Sequence, residues 1–158
     1  MDSFSSQLND VLVDTFNNIL KVEEDLLKHS TSVDLSINEM HLIESVGKNK
    51  NDGKTISDLA QILNITLPSV TIAINKLVKK GYVKKEKSST DGRMVYVRLT
   101  DKGLRIDKIH QYFHVKMVNE VSKEMTDHEK EVLIHGMEKL NGFFKKKLSG
   151  ISAAKKLL

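Results

Sequence analysis

Residues 64 to 68 read Asn-Ile-Thr-Leu-Pro, and this short stretch of punctuation constrains the chain more than any other feature. Ser57 can cap a helix that runs through Leu63, and Asn64 can take the left-handed conformation that stops it. Two residues later Thr66 caps another helix. The chain's only proline, Pro68, falls in its first turn, where a missing amide hydrogen costs nothing. That helix runs from Leu67 to about Lys80, and Gly81 terminates it. Two helices joined by so tight a turn form a helix-turn-helix signature. On the second helix Val70, Ile74, Leu77 and Val78 are spaced to face inward, leaving Ser69, Ile72, Asn75, Lys76 and Lys79 outward.

The flanking segments are mostly helical. From Phe4 to about Leu27, the residues Leu8, Val11, Leu12, Phe16, Ile19 and Leu20 recur at spacings of three and four. Ser36 with Glu39 makes a capping box for a short helix carrying Met40, Ile43 and Val46, with Gly47 as its left-handed cap. Lys54 to Ile56 can form a brief strand. Tyr82–Lys87 and Met94–Leu99, separated by a polar tip, read as a β-hairpin with one buried face. Thr100 caps a long helix with Leu104, Ile109, Phe113, Met117, Val118 and Val121. Thr126 with Glu129 opens the last, with Leu133, Met137, Leu140, Phe144 and Leu148. The predicted fold is mainly α with one small β-hairpin. The terminal helices carry more apolar surface than a small head can cover, and pairing with a second copy is the economical solution.

Composition narrows the function. With 158 residues, one domain's worth of chain, a two-domain enzyme with its own cofactor half is not expected. Zero cysteines exclude a disulfide framework, a thiolate metal site and a cysteine nucleophile. No helix-length apolar span and no secretory h-region are present, so a cytoplasmic protein without a membrane partner is expected. Phosphate-binding, dinucleotide, metalloprotease and nucleophile-elbow motifs are all missing, so neither catalysis nor a cofactor is expected. The net charge is only +4, yet seven basic residues between Lys76 and Arg93 face two acidic ones, Glu86 and Asp91. A local +5 on a near-neutral body is an electrostatic footprint for nucleic acid.

The outward face of the Leu67 helix suits a major groove: Asn75 can bond adenine bidentately, Ile72 can touch a thymine methyl, and Lys76 and Lys79 reach phosphate. Its start, at Thr66, offers free amide hydrogens and a positive dipole end to another phosphate. Arg93 stands where a two-stranded wing can place it in a narrow minor groove. Asp91 either orients that guanidinium or caps the turn. Among six histidines, His110 and His114 share a helical face at i and i+4 and His41 lies on another helix, which leaves a metal sensor as an alternative.

Leu63-Asn64-Ile65-Thr66-Leu67-Pro68-Ser69-Val70-Thr71, Leu77-Val78-Lys79-Lys80-Gly81-Tyr82-Val83, Asp91-Gly92-Arg93 and Leu99-Thr100-Asp101-Lys102-Gly103 together resemble the winged helix-turn-helix of the MarR family of bacterial transcription regulators. The resemblance implies a homodimer joined through its first and last helices, bound to double-stranded DNA at a pseudo-palindromic operator. It places Ser69, Thr71 and Asn75 at groove-facing positions and Arg93 at the wing arginine. Ile72 stands where many members have a basic residue, and Gly92-Arg93 where many have Arg-Arg, so the operator sequence does not transfer. The implied organisation is an N-terminal dimerisation helix (1–30), a winged helix-turn-helix DNA-binding domain (36–100), C-terminal dimerisation helices (101–150) and a tail (151–158).

Phe16-Asn17-Asn18-Ile19-Leu20 with Glu23-Glu24, Ser36-Ile37-Asn38-Glu39-Met40-His41, and Phe113-His114 with Met117-Val118 further resemble the FabT branch of that family, which represses fatty-acid-synthesis genes. The branch implies a long-chain acyl group on acyl carrier protein as corepressor. Phe16, Leu20, Met40, Ile43, Ile109, Phe113 and Met117 are the lining residues it implies, although apolar stripes at this spacing serve core packing equally well. A MarR-type regulator sensing a metal ion or a small aromatic ligand is the alternative.

Overall fold

A computed structural model of the chain describes residues 2–29, 33–48, 53–88 and 93–155. Six helices and one hairpin follow in the order α1 (Ser3–His29), α2 (Ile37–Gly47), α3 (Ile56–Leu63), α4 (Leu67–Lys79), β1 (Val83–Lys87), β2 (Val95–Leu99), α5 (Asp101–Ser122) and α6 (Asp127–Lys155). The chain divides into two compact units, residues 1–108 and 109–158.

The first unit is built on the turn at Asn64. Asn64 takes φ 52° and ψ 41°, ending α3, and the Thr66 hydroxyl accepts the Ser69 amide to start α4. The two helices meet at 114°, within the range of helix-turn-helix motifs. Val70, Ile74 and Leu77 of α4 pack into a core with Leu27, Met40, Leu42, Ile43, Val46, Leu59, Tyr82, Val83, Val97 and Ile106. Val78, expected inside, is 37% exposed. The buried stripe of α4 is narrower than its apolar spacing, because residues at i, i+4 and i+7 already fill the contact with α3 and β1.

Three further expectations in this unit need correction. The cap of α3 is Thr55 and not Ser57: the Thr55 hydroxyl accepts the Asp58 amide, and the Asp58 carboxylate accepts the Thr55 amide in return. The brief strand reduces to one bridge, where Lys54 exchanges backbone hydrogen bonds of 3.1 and 2.7 Å with Val97. Gly47 is a buried helical residue with no positive φ. A methyl group there would strike the Asp107 carboxylate, so close approach between α2 and α5 is what this glycine provides.

The hairpin pairs Val83 with Leu99 through Lys87 with Val95, antiparallel. Its base is fastened to α5. The Thr100 amide donates to the Tyr82 carbonyl at 3.1 Å, and the Thr100 hydroxyl lies 2.7 Å from the Gly81 carbonyl, to which it donates. The same hydroxyl accepts the Gly103 amide at 3.2 Å, capping α5 as expected. A Cβ on Gly103 would collide with the Tyr82 carbonyl oxygen, so the Leu-Thr-x-x-Gly exit is a backbone-to-backbone contact written in sequence.

In the second unit, Thr126 and Glu129 form the expected capping box of α6. The backbone stays helical to Lys155, five residues into the segment read as a tail. Leu133, Met137, Phe144 and Leu148 of α6 are exposed, and so are Phe4, Leu8, Val11 and Phe16 of α1 in the first unit.

Candidate nucleic-acid interface

The exposed face of α4 carries Ser69, Ile72, Asn75, Lys76 and Lys79, with Thr66 at its start, as the periodicity predicts. Ile72 is 70% exposed, an uncovered branched side chain in the middle of a polar face. The hydroxyls are less open than expected. Thr66 Oγ1 and Ser69 Oγ bond to each other at 2.8 Å, and the half-buried Thr71 donates its hydroxyl to the Leu67 carbonyl at 2.8 Å. Asn75 accepts a hydrogen bond from Lys85 of β1, with Nζ 2.7 Å from Oδ1. The acceptor needed for a bidentate adenine contact is therefore engaged within the protein.

The lysines divide into tethered and projecting groups. The Glu39 carboxylate on α2, 7% exposed, holds Lys76 at 3.1 Å and Lys80 at 3.0 Å, and also accepts the Ser36 amide at 2.8 Å. Burial opposes its ionisation, but the Ser36 amide and the two ammonium groups outweigh that, keeping its carboxyl below the ordinary carboxylate range. Lys80 loses solvation too, and its bonds to Glu39 and Asp34 nonetheless raise it above the usual lysine value. On the outer face of the hairpin, Glu86 takes Lys84 at 2.6 Å and Arg98 at 2.9 Å. Lys79 and Lys87 form no ion pair among the described residues. Arg93 is exposed at the start of the second wing segment, whereas Asp91 lies outside the described residues.

The interface thus differs from its sequence outline in two ways. Lys76 is a structural cation whose partner, Glu39, was read only as a helix cap. Lys85 entered the sequence reading as one basic residue among seven, yet it reaches the recognition face. The pleat carries that signal: Lys85 lies two residues beyond buried Val83 and pairs with buried Val97, which sets it on the face toward α4.

The residues read as an acyl lining fall in both units. In the first, Met40 and Ile43 belong to the head's core, Leu20 is half-buried and Phe16 is exposed; in the second, Phe113 and Met117 are half-buried and Ile109 exposed. A hollow of about 330 Å³ in the first unit is lined by other residues, including Leu27, Val33, Leu35 and Ile37. The histidines also form pairs within the units. His41 Nε2 lies 3.3 Å from Glu23 Oε2, and His110 Nε2 lies 3.0 Å from His114 Nε2.

A helix-turn-helix whose second helix presents a polar face beside a lysine-rich two-stranded wing defines a winged helix-turn-helix transcriptional regulator. Residues 33–94 match the model of the MarR family. AdcR, a transcriptional regulator of Streptococcus pneumoniae, is 31% identical over 142 residues, spanning 87% of this chain and 92% of that protein. The uncharacterised regulator YhjH of Bacillus subtilis is 28% identical over 90 residues, and the match spans half of its length. Among solved structures, FabT of Streptococcus pneumoniae in complex with DNA superposes with a TM-score of 0.85 at 36% identity, covering 90% of this chain and 98% of that one. The chain belongs to the MarR family.

Proposed function

We propose that this regulator is a homodimeric repressor of fatty-acid-synthesis genes that binds a pseudo-palindromic operator in double-stranded DNA. Long-chain acyl-acyl carrier protein is its corepressor. The observation that carries the DNA reading is the open face of α4, where Ile72, Asn75 and Lys79 stand clear of the core beside the basic hairpin. Ser69, Thr71 and Asn75 are assigned to the major groove, Thr66, Lys76 and Lys79 to phosphate, and Arg93 with Asp91 to the minor groove. Lys76 reaches phosphate only by leaving Glu39. The acyl assignment rests on the likeness to FabT and on the motifs around Phe16 and Phe113.

Each buried methylene contributes roughly 0.8 kcal/mol. A chain of a dozen or more carbons thus supplies enough free energy to bias two spacings of the recognition helices by several kcal/mol. Titrating operator complexes tests this. Acylated carrier is expected to tighten binding, unacylated carrier to leave it unchanged, and Met117→Trp to remove the acyl effect while basal binding persists.

A metal-sensing reading is kept for one reason, the two imidazole contacts at His41 and at His110 with His114. Zinc and a chelator added to the same titration separate the two. If zinc alone changes DNA binding and acyl length has no influence, the acyl reading is wrong.

A further inference from the structure

Lys85 and Asn75 come from different elements and meet on the face of the head assigned to DNA. An ammonium group has donors and no acceptor. The Asn75 amide must therefore present its oxygen to Lys85 and turn its –NH2 away, which removes the usual ambiguity in amide orientation. At 2.7 Å the bond is a short, charge-assisted one. Among the described residues no carboxylate diverts the lysine: Glu86 lies on the opposite face of the hairpin with Lys84 and Arg98, and Glu39 is occupied by Lys76 and Lys80.

The geometry points to Lys85 as a specificity-determining residue, which acts by holding the Asn75 oxygen and so converts Asn75 into a donor-only reader. This rests on the assignment of α4 to the major groove. An asparagine with both ends open matches adenine, which offers an acceptor at N7 beside a donor at N6. With its oxygen turned to Lys85 and its –NH2 to the groove, Asn75 instead matches guanine, whose N7 and O6 are both acceptors, and the remaining ammonium hydrogens of Lys85 favour the same edge. Lys85 is a positioning residue for the base contact, distinct from the lysines that meet phosphate.

Selection from a randomised duplex pool, run in parallel with the wild type and with Asn75→Ala, Lys85→Met and Lys85→Arg, tests the assignment. The wild type is expected to enrich a two-fold motif with a guanine in each half-site whose preference Asn75→Ala erases. Lys85→Met keeps the stem and removes the donor. It should shift that one position from guanine to adenine by roughly fivefold or more and leave the other positions alone, while Lys85→Arg keeps guanine. A uniform loss of affinity in Lys85→Met with guanine retained makes Lys85 a phosphate contact and overturns the inference alone. Adenine at the Asn75-dependent position of the wild type, or no position that depends on Asn75, also overturns it. A wild type that enriches no sequence defeats the groove assignment of α4 and the role of Lys85 with it.

Discussion

Glu39 concentrates three interactions on one carboxylate that water barely reaches, so its removal strands two ammonium groups and a helix-start amide at once. Hydrogen bonds to charged groups contribute about 1.5 to 3 kcal/mol. Glu39→Gln is expected to cost about 2 kcal/mol in urea unfolding, because the amide carries no charge and only one of its two ends can accept the three donors. The folded-state carboxyl lies below its ordinary value, so the stabilisation is present above about pH 4 and is lost as pH falls through the lowered value. The acid limb of a melting-temperature profile should therefore be shallower in Glu39→Gln than in the wild type. Gly103 makes a different kind of demand, since its missing side chain is what admits the Tyr82 carbonyl. Gly103→Ala should lose about 1 to 3 kcal/mol by forcing α5 away from the hairpin. Differential scanning calorimetry reads this directly, and an unchanged melting temperature would refute the contact.

Among the elements, α4 carries two kinds of residue that are expected to respond differently to truncation of single side chains. Lys79→Ala should weaken all duplexes about equally and lower the salt slope by about one unit. Asn75→Ala should cost on the order of 1 to 3 kcal/mol on the operator and little on random DNA. Filter binding at several salt concentrations distinguishes these, and equal losses on both kinds of DNA refute base reading by Asn75. The elements also differ in how far their sequence discloses them. Asn64, Thr66, Pro68 and Gly81 were legible because each answers a local backbone requirement within four residues of itself. Gly47 was misread because its reason, Asp107, lies sixty residues away and only packing brings it close. Val78 was misread because periodicity marks apolar positions without fixing how wide the covered stripe is. Lys85 was countable as charge, but its partnership with Asn75 exists only after the hairpin folds back on α4.

For the whole molecule, the uncovered apolar residues of α1 and α6 are the dominant fact. Phe4, Leu8, Val11, Leu133, Met137, Phe144 and Leu148 stand exposed in a single copy, more than isolated surface hydrophobes account for. The proposed dimer would cover them, so light scattering at micromolar concentration should give twice the chain mass of 17.9 kDa. Phe144→Asp should shift that equilibrium toward monomer, and removal of residues 1–27 should abolish the folded state. A stable wild-type monomer would contradict the arrangement. The two-fold symmetry of the proposed dimer would be imposed on the DNA, so footprints should show half-site centres about 10 base pairs apart.

The bonds that Thr100 makes to Gly81 and Tyr82 carry a further consequence, for how such a molecule can diversify. They fix both feet of the hairpin, and the Ser88 amide on the Met94 carbonyl at 2.8 Å closes its upper end. The paired strands below this bond are thus fastened at both ends without any contribution from the tip. Closure entropy grows only logarithmically with length, by about 0.6 kcal/mol for each doubling. Insertions at the tip are thus nearly neutral for folding while they alter how far the wing extends. The reach of the wing can drift through evolution as an interchangeable cassette, with Thr100 and Gly103 as its fixed mounting.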